Sequence, residues 1–282
     1  MDRLPPGRSR IAAMKTITCT LSALLLISVS SPAAAPFIVA HRGASGDAPE
    51  NTLPAFERAW KQGADAIEGD FYLTADGKIV CFHDKDTGKI TGNKRVIARS
   101  TFADLSSLDV GTWKGARFTG TRIPLLSQVL ATVSPGKKIY IEIKCGPEIV
   151  PPLLAEMAKS RVTDGQVVII SFNEKVIAAV KRARPQWTAN WLYGFNTKDT
   201  SAPGKELPRL LEILRDCGAD GLGSNAQPGL QKSHLASLSA AGFQHHVWTV
   251  NDASDARRFL ELGSRSVTTD YPGRLREELS RD

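Results

Sequence analysis

The chain reads as an α/β protein, a closed (β/α)8 barrel of the TIM type with a hairpin and loop insertion after its second strand. Three observations predict this. Short runs rich in β-branched residues alternate with longer amphipathic ones from residue 37 onward, the pattern of βα units around a parallel sheet. The units number eight in about 250 residues, which suits a closed barrel better than an open sheet. Polar residues able to do chemistry recur at the carboxyl ends of the runs, where such barrels place their sites.

Strands are predicted at 37–41, 66–70, 138–144, 167–171, 188–193, 220–223, 245–250 and 266–269. Helices are predicted after them, near 53–62, 124–133, 148–160, 173–183, 207–217, 230–241, 252–262 and 272–280. Thr52 suits the N-cap of the first helix, Leu53, Phe56 and Trp60 share one face of it, and Gly63 closes it. Asn173 and Asp252 suit the caps of two later helices. The segment 71–122 breaks the rhythm. Phe71–Thr74 and Lys78–His83 flank Ala75-Asp76-Gly77, and Asp-Gly is a hairpin turn signal too short for a parallel crossover. Residues 79–83 are therefore expected to fold back antiparallel and return His83 towards Asp70. The Gly-, Lys- and Thr-rich stretch up to Arg122 is expected to be a loop over the barrel mouth.

Ahead of the barrel, residues 1–35 have the pattern of a secretory signal peptide. Lys15 precedes an apolar run, Leu21–Val29, and Ala33-Ala34-Ala35 offers small residues for cleavage. The run is short for a bilayer span, so no stable membrane insertion is expected once it is cleaved. Met14 is the expected initiator, and residues 36–282 the single mature domain, exported to the periplasm or secreted. The full chain carries +7, and the leader holds Arg3, Arg8, Arg10 and Lys15 against Asp2, leaving +4. That excess is mild and scattered, which gives no case for nucleic acid and no obstacle to an anionic substrate. Cys81, Cys145 and Cys217 follow the leader; an odd number leaves at least one thiol free, their spacing matches no zinc site, and a Cys81–Cys145 disulfide is open to the chain without being expected. The oligomeric state is not legible.

The chemistry gathers at strand ends. His41-Arg42 ends the first strand, Glu68 and Asp70 the second, Glu142 and Lys144 the third. Side chains two apart on a strand point the same way, so Glu68 and Asp70 face together, as do Glu142 and Lys144. Converging carboxylates repel unless a cation lies among them, and hard oxygen ligands favour calcium or magnesium over zinc. The alternative is an ion pair of Glu68 or Glu142 with Lys144. His41 and His83 each adjoin another polar group at the expected mouth, whereas His234, His245 and His246 read as structural.

An ordered set of motifs carries a resemblance: Ala40-His-Arg-Gly43, Pro49-Glu-Asn-Thr52, Ala66-Ile-Glu-Gly-Asp70, Phe82-His-Asp84, Ile141-Glu-Ile-Lys144, Ser171-Phe172, Trp248-Thr-Val-Asn251 and Thr269-Asp-Tyr-Pro272. In these the chain resembles the glycerophosphodiester phosphodiesterases, a family of phospholipase C-like barrel phosphodiesterases. The resemblance implies metal-dependent hydrolysis of glycerophosphodiesters to sn-glycerol 3-phosphate and an alcohol. It implies that Glu68, Asp70 and Glu142 hold one divalent cation and that Arg42 and Lys144 bind the phosphodiester. His41 and His83 become acid and base, Glu50 supports the first loop from behind, and Trp248 walls the glycerol or leaving group. After His83-Asp84 the chain departs from the family pattern with Lys85–Gly92, which bears on head-group preference. A related enzyme acting on intact lipid or inositol phosphates, and a non-catalytic phosphodiester-binding relative, are the competing expectations.

Overall fold

The structure is a computed structural model and describes residues 1–3 and 37–281. The expected leader, with Met14, Cys19 and the run Leu21–Val29, lies outside the described residues. Eight parallel strands form the barrel: β1 Ile38–Ala40, β2 Ala66–Leu73, β4 Lys138–Ile143, β5 Val167–Ser171, β6 Thr188–Tyr193, β7 Gly221–Asn225, β8 Gln244–Trp248 and β9 Ser266–Thr269. They pair in chain order, and β1 closes the ring by pairing with both β2 and β9. β3, Ile79–Cys81, lies antiparallel on β2, with Phe71 opposite Cys81 and Leu73 opposite Ile79. Gly77 at φ +74° makes the predicted turn.

The outer helices are α1 Leu53–Lys61, α4 Leu126–Leu130, α5 Val150–Lys159, α6 Glu174–Ala183, α7 Ala202–Cys217, α8 Lys232–Ala240, α9 Ala253–Leu262 and α10 Pro272–Leu279. Strand alternation sorts the apolar residues into two cores. Ile67, Ile139, Ile141, Ile169, Val247 and Val267 face outward against Phe56, Leu153, Val180, Leu214 and Phe259 of the helices. Val39, Ala66, Tyr140, Val168, Ile170 and Leu192 fill the bore. Truncating a side chain such as Phe56 or Phe259, both fully buried, would cost about 3–5 kcal/mol.

Several boundaries differ from the sequence reading. α4 is shorter than 124–133 because Leu125, at its N-cap, is extended. α7 starts at Ala202 rather than 207, since Pro203 fits its first turn and Pro208 is carried inside it. Thr52 occupies the N-cap of α1, but its hydroxyl donates to the Pro49 carbonyl instead of capping the helix. Asn173 and Asp252 do cap, accepting from Lys175 N and from Ser254 N and Asp255 N.

The largest correction concerns the insertion, which is not an open loop. It contains α2 Gly88–Thr91 and α3 Phe102–Ser106, with 3-10 turns at Ile97–Arg99, Thr112–Lys114 and Ala116–Phe118. Val80, Phe82, Ile97, Leu105, Leu108, Val110 and Ile123 form a separate core under it. The apolar residues that build this core are irregularly spaced, so neither helical nor strand periodicity announced them. Cys81, Cys145 and Cys217 are all unpaired thiols.

Candidate active site

The site grows from the turn after β1. Arg42 at φ +54° and Gly43 at φ +80° reverse the chain there. At Gly43 a side chain is impossible, because a Cβ would lie 2.6 Å from the Ala55 carbonyl carbon. The reversal aims the Arg42 backbone N–H at Glu68 Oε2, 2.8 Å away. Its guanidinium donates to Glu50 Oε1 at 3.0 Å, with Nε 3.2 Å from Asp70 Oδ2. Glu50 thus braces the arginine side chain.

Glu68, Asp70 and Glu142 converge from β2 and β4, each offering an oxygen within 4.8 Å of the others. Asp70 sits opposite Glu142 in the register. Lys144 Nζ lies 2.7 Å from Glu142 Oε1 and 3.3 Å from Asp70 Oδ1. All three carboxylates are buried, and the electrostatics distinguish them. Burial, with the charge of Asp70 beside it, pushes Glu68 up to about 8. Burial also raises Glu142, and the Asp70 charge adds to this. For Asp70 the burial penalty is outweighed by Lys144, Arg42 and His83 and by a hydrogen bond from Asn51, so it stays below the usual carboxylate range. Glu68 Oε1 is buried and has no hydrogen-bond partner among the described residues. An orphaned carboxylate oxygen in a cluster of hard oxygen donors fits a divalent cation: three oxygens are preformed, and the cation would remove the repulsion that raises Glu68.

Two imidazoles complete the polar side. His41 leaves the end of β1, where its N–H bonds the Thr269 carbonyl at 2.8 Å. Its Nδ1 is 2.7 Å from Asp270 Oδ1. Burial lowers Asp270's readiness to ionise, but hydrogen bonds from His41, Asn251 and Ser45 hold it down at about 2. An ionised carboxylate only accepts, so Nδ1 carries the proton and Nε2 is the nitrogen left for exchange. Burial opposes the charged imidazole, yet Asp270 and Glu68 raise His41 above the ordinary histidine value. His83 arrives as the hairpin predicted: Phe82 N bonds the Asp70 carbonyl at 2.8 Å, and the next residue stands at the mouth. Its Nδ1 is 2.7 Å from Asp84 Oδ1.

A pocket of about 150 Å³ is lined by the polar His41, Arg42, Glu68, His83, Glu142 and Lys144 together with Ile170, Phe172, Leu192, Trp248 and Thr268. Trp248 and Phe172 meet edge to face with ring centres 5.6 Å apart. Asp70 lies beneath, 1% exposed. Sequence reasoning named every charged member of this wall. It gave no role to Asp270, Asp84 or Asn51. Asn51, at φ +59°, donates to Asp70 Oδ2 at 2.8 Å and accepts the Asp70 N–H at 3.0 Å. Position at a strand top could have flagged Asp270; nothing in the spacing could flag Asn51.

His245 and His246 are buried away from this pocket. His245 contacts Ser224 and Ser264 at 3.0 and 2.8 Å, and His246 contacts Ser266 at 2.7 Å. Burial drives them down to about 3 and about 4.

The match to known proteins covers the same residues. A model of the glycerophosphoryl diester phosphodiesterase family matches residues 41–274. A glycerophosphodiester phosphodiesterase of Bacillus subtilis is 28% identical over 289 residues, spanning 94% of this chain and 96% of that protein. Another, from Caldanaerobacter subterraneus, is 30% identical over 244 residues, spanning 84% and 95%. A phosphodiesterase of Oleispira antarctica, solved with the product sn-glycerol-3-phosphate, superposes with a TM-score of 0.78 at 26% identity, covering 86% of this chain and 96% of that one. The family model spans well over half the chain, and the chain belongs to the glycerophosphoryl diester phosphodiesterase family.

Proposed function

We propose that this chain is a phosphoric diester hydrolase that converts glycerophosphodiesters into sn-glycerol 3-phosphate and an alcohol. The observation that carries the reading is the pairing of two carboxylate-held imidazoles with a buried carboxylate triad, of which Glu68 and Glu142 line the same pocket as the imidazoles. Phosphodiesters resist attack because their negative charge repels nucleophiles and the alkoxide leaves poorly. Arg42 and Lys144 set positive charge where the non-bridging oxygens gain density. One of His41 and His83 takes the nucleophile's proton and the other supplies one to the departing alkoxide, each transfer contributing about 10²–10⁴-fold. The nucleophile is water or the glycerol's neighbouring hydroxyl. Glu68, Asp70 and Glu142 would hold a divalent cation, calcium or magnesium, whose charge further offsets that of the phosphodiester. The apolar wall of Trp248 and Phe172 takes the carbon skeleton of the glycerol or the leaving group.

The leader motif supports export to the periplasm or beyond the cell. Sequencing the N-terminus of the exported protein is expected to find a mature chain beginning near Pro36; a chain retained with residues 21–29 intact would count against it.

The assay is release of sn-glycerol 3-phosphate from a panel of glycerophosphodiesters, with calcium, with magnesium and after chelation. Turnover restored by one of the two metals and abolished by chelation is expected. Activity indifferent to chelation would remove the cation from the account, and tight binding without turnover in either metal would remove the enzyme.

A further inference from the structure

The packed insertion is tied to the arm that carries His41. Lys114 Nζ donates to the Ser45 carbonyl at 2.6 Å, and Arg117 donates to the Asp47 carbonyl at 3.1 Å. The two cations come from consecutive 3-10 turns; both acceptors lie in the turn just after His41. Ala44 and Ala48 are fully buried and seat the ends of that turn. Ser45, Gly46 and Asp47 between them are only half-buried; the Tyr271 ring packs on Gly46, and polar contacts hold Ser45 and Asp47. On the inner side Ser45 Oγ donates to Asp270 Oδ1 at 2.9 Å, the same oxygen that accepts from His41 Nδ1 at 2.7 Å. Gly46 N also donates to the Asp270 carbonyl at 3.0 Å. Ser45 is therefore held from the insertion through its carbonyl and holds the histidine's partner through its hydroxyl.

We infer that Lys114 is a positioning residue for the reaction: by anchoring the Ser45 carbonyl it keeps the Ser45 hydroxyl on Asp270, and so keeps Asp270 aligned with the His41 imidazole. The inference rests on the reading of His41 given under Proposed function. Its consequence is that the insertion orients part of the acid/base machinery as well as flanking the pocket. A lysine that merely fastened the insertion to the barrel would influence stability without a selective effect on turnover.

The test compares steady-state kinetics and thermal midpoints of K114M, K114R, S45A, K114M/S45A, R122M and H41A with glycerophosphocholine as substrate. Arg122 is a control, an exposed insertion cation whose guanidinium reaches the Ser107 carbonyl. Losing one hydrogen bond's worth of alignment, K114M is expected to lower kcat roughly fivefold with KM within about twofold. K114R restores most of the loss, R122M keeps wild-type kcat, and K114M/S45A is no slower than the slower single variant. Wild-type kcat in K114M, a loss confined to KM, losses that multiply in the double variant, no rescue by K114R, or an equal loss in R122M would each overturn the inference. Full turnover by H41A would overturn the reading of the site on which it stands; a slow H41A beside an unimpaired K114M would overturn the role of Lys114 alone.

Discussion

Four histidines of this barrel fall into two pairs with opposite chemistry. His41 and His83 stand at the mouth, each with Nδ1 on a carboxylate and each lining the pocket. His245 and His246, adjacent on β8, are buried against serines. A carboxylate partner stabilises the imidazolium, so His41 gains basicity despite its burial. A serine offers no such charge, and burial, helped by His246 beside His245 and by Arg265 and Lys138 near His246, holds the rings neutral, at about 3 and about 4. One fold thus sets histidine on a carboxylate at the pocket in one pair and against serines in the core in the other.

The largest expected difference between the pairs is in turnover. His41→Ala and His83→Ala are each expected to lose at least about a hundredfold in kcat on glycerophosphocholine, while His245→Gln and His246→Gln stay within about twofold. Comparable losses in both pairs would erase the distinction.

Removing the carboxylate while leaving the imidazole should cost less. Asp270→Asn keeps a group of the same shape but no charge on His41, and kcat is expected to fall by at least about tenfold. Because Asp270 raises His41, the limb of the pH–rate profile that belongs to His41 should move to lower pH. A profile that stays in place would mean the pair is positional only.

The smallest effect is on stability and has opposite signs in the two places. For His245 and His246 the folded values lie below the unfolded one near 6.5. The unfolded chain then binds more protons at low pH, so their contribution is complete above about 6.5 and is lost as pH falls towards 4 and 3, by roughly 1 kcal/mol per pH unit for each ring. His41, raised in the folded state, contributes fully below about 6.5 and loses that contribution as pH rises. Denaturant midpoints measured between pH 4 and 7 should show the acid limb flattening in the His245→Gln, His246→Gln double variant. An unchanged limb would show that these rings are not what makes the barrel acid-sensitive.

Most of the strands and helices were legible because strands such as Ile38–Ala40 and Val167–Ser171 are short apolar, β-branched runs and the helices between strands are amphipathic. The site was legible for a related reason. In a barrel the strand tops converge, so Glu68, Asp70, Glu142 and Lys144 could be brought together from spacing alone, and the Asp76-Gly77 turn correctly returned His83. Three relations were not legible: the pairing of Asp270 with His41, the hold of Asn51 on Asp70 and the packing of the insertion. Asp270 lies 229 residues from His41 in sequence, and only barrel closure between β1 and β9 makes them neighbours. Asn51 reaches Asp70 through a left-handed backbone that no periodicity encodes. The packing of the insertion is invisible to periodicity because Ile97, Leu105, Leu108, Val110 and Ile123 come together from irregular positions.

The two mouth imidazoles are expected to divide proton removal and proton delivery between them. This division is tested most directly by comparing H41A and H83A on glycerophosphocholine and on a glycerophosphodiester with a nitrophenyl leaving group, which departs without needing a proton. Both variants are expected to fail on the first substrate, and one of them, the variant lacking the acid, is expected to recover most of its turnover on the second. Recovery by both variants, or by neither, would contradict that division.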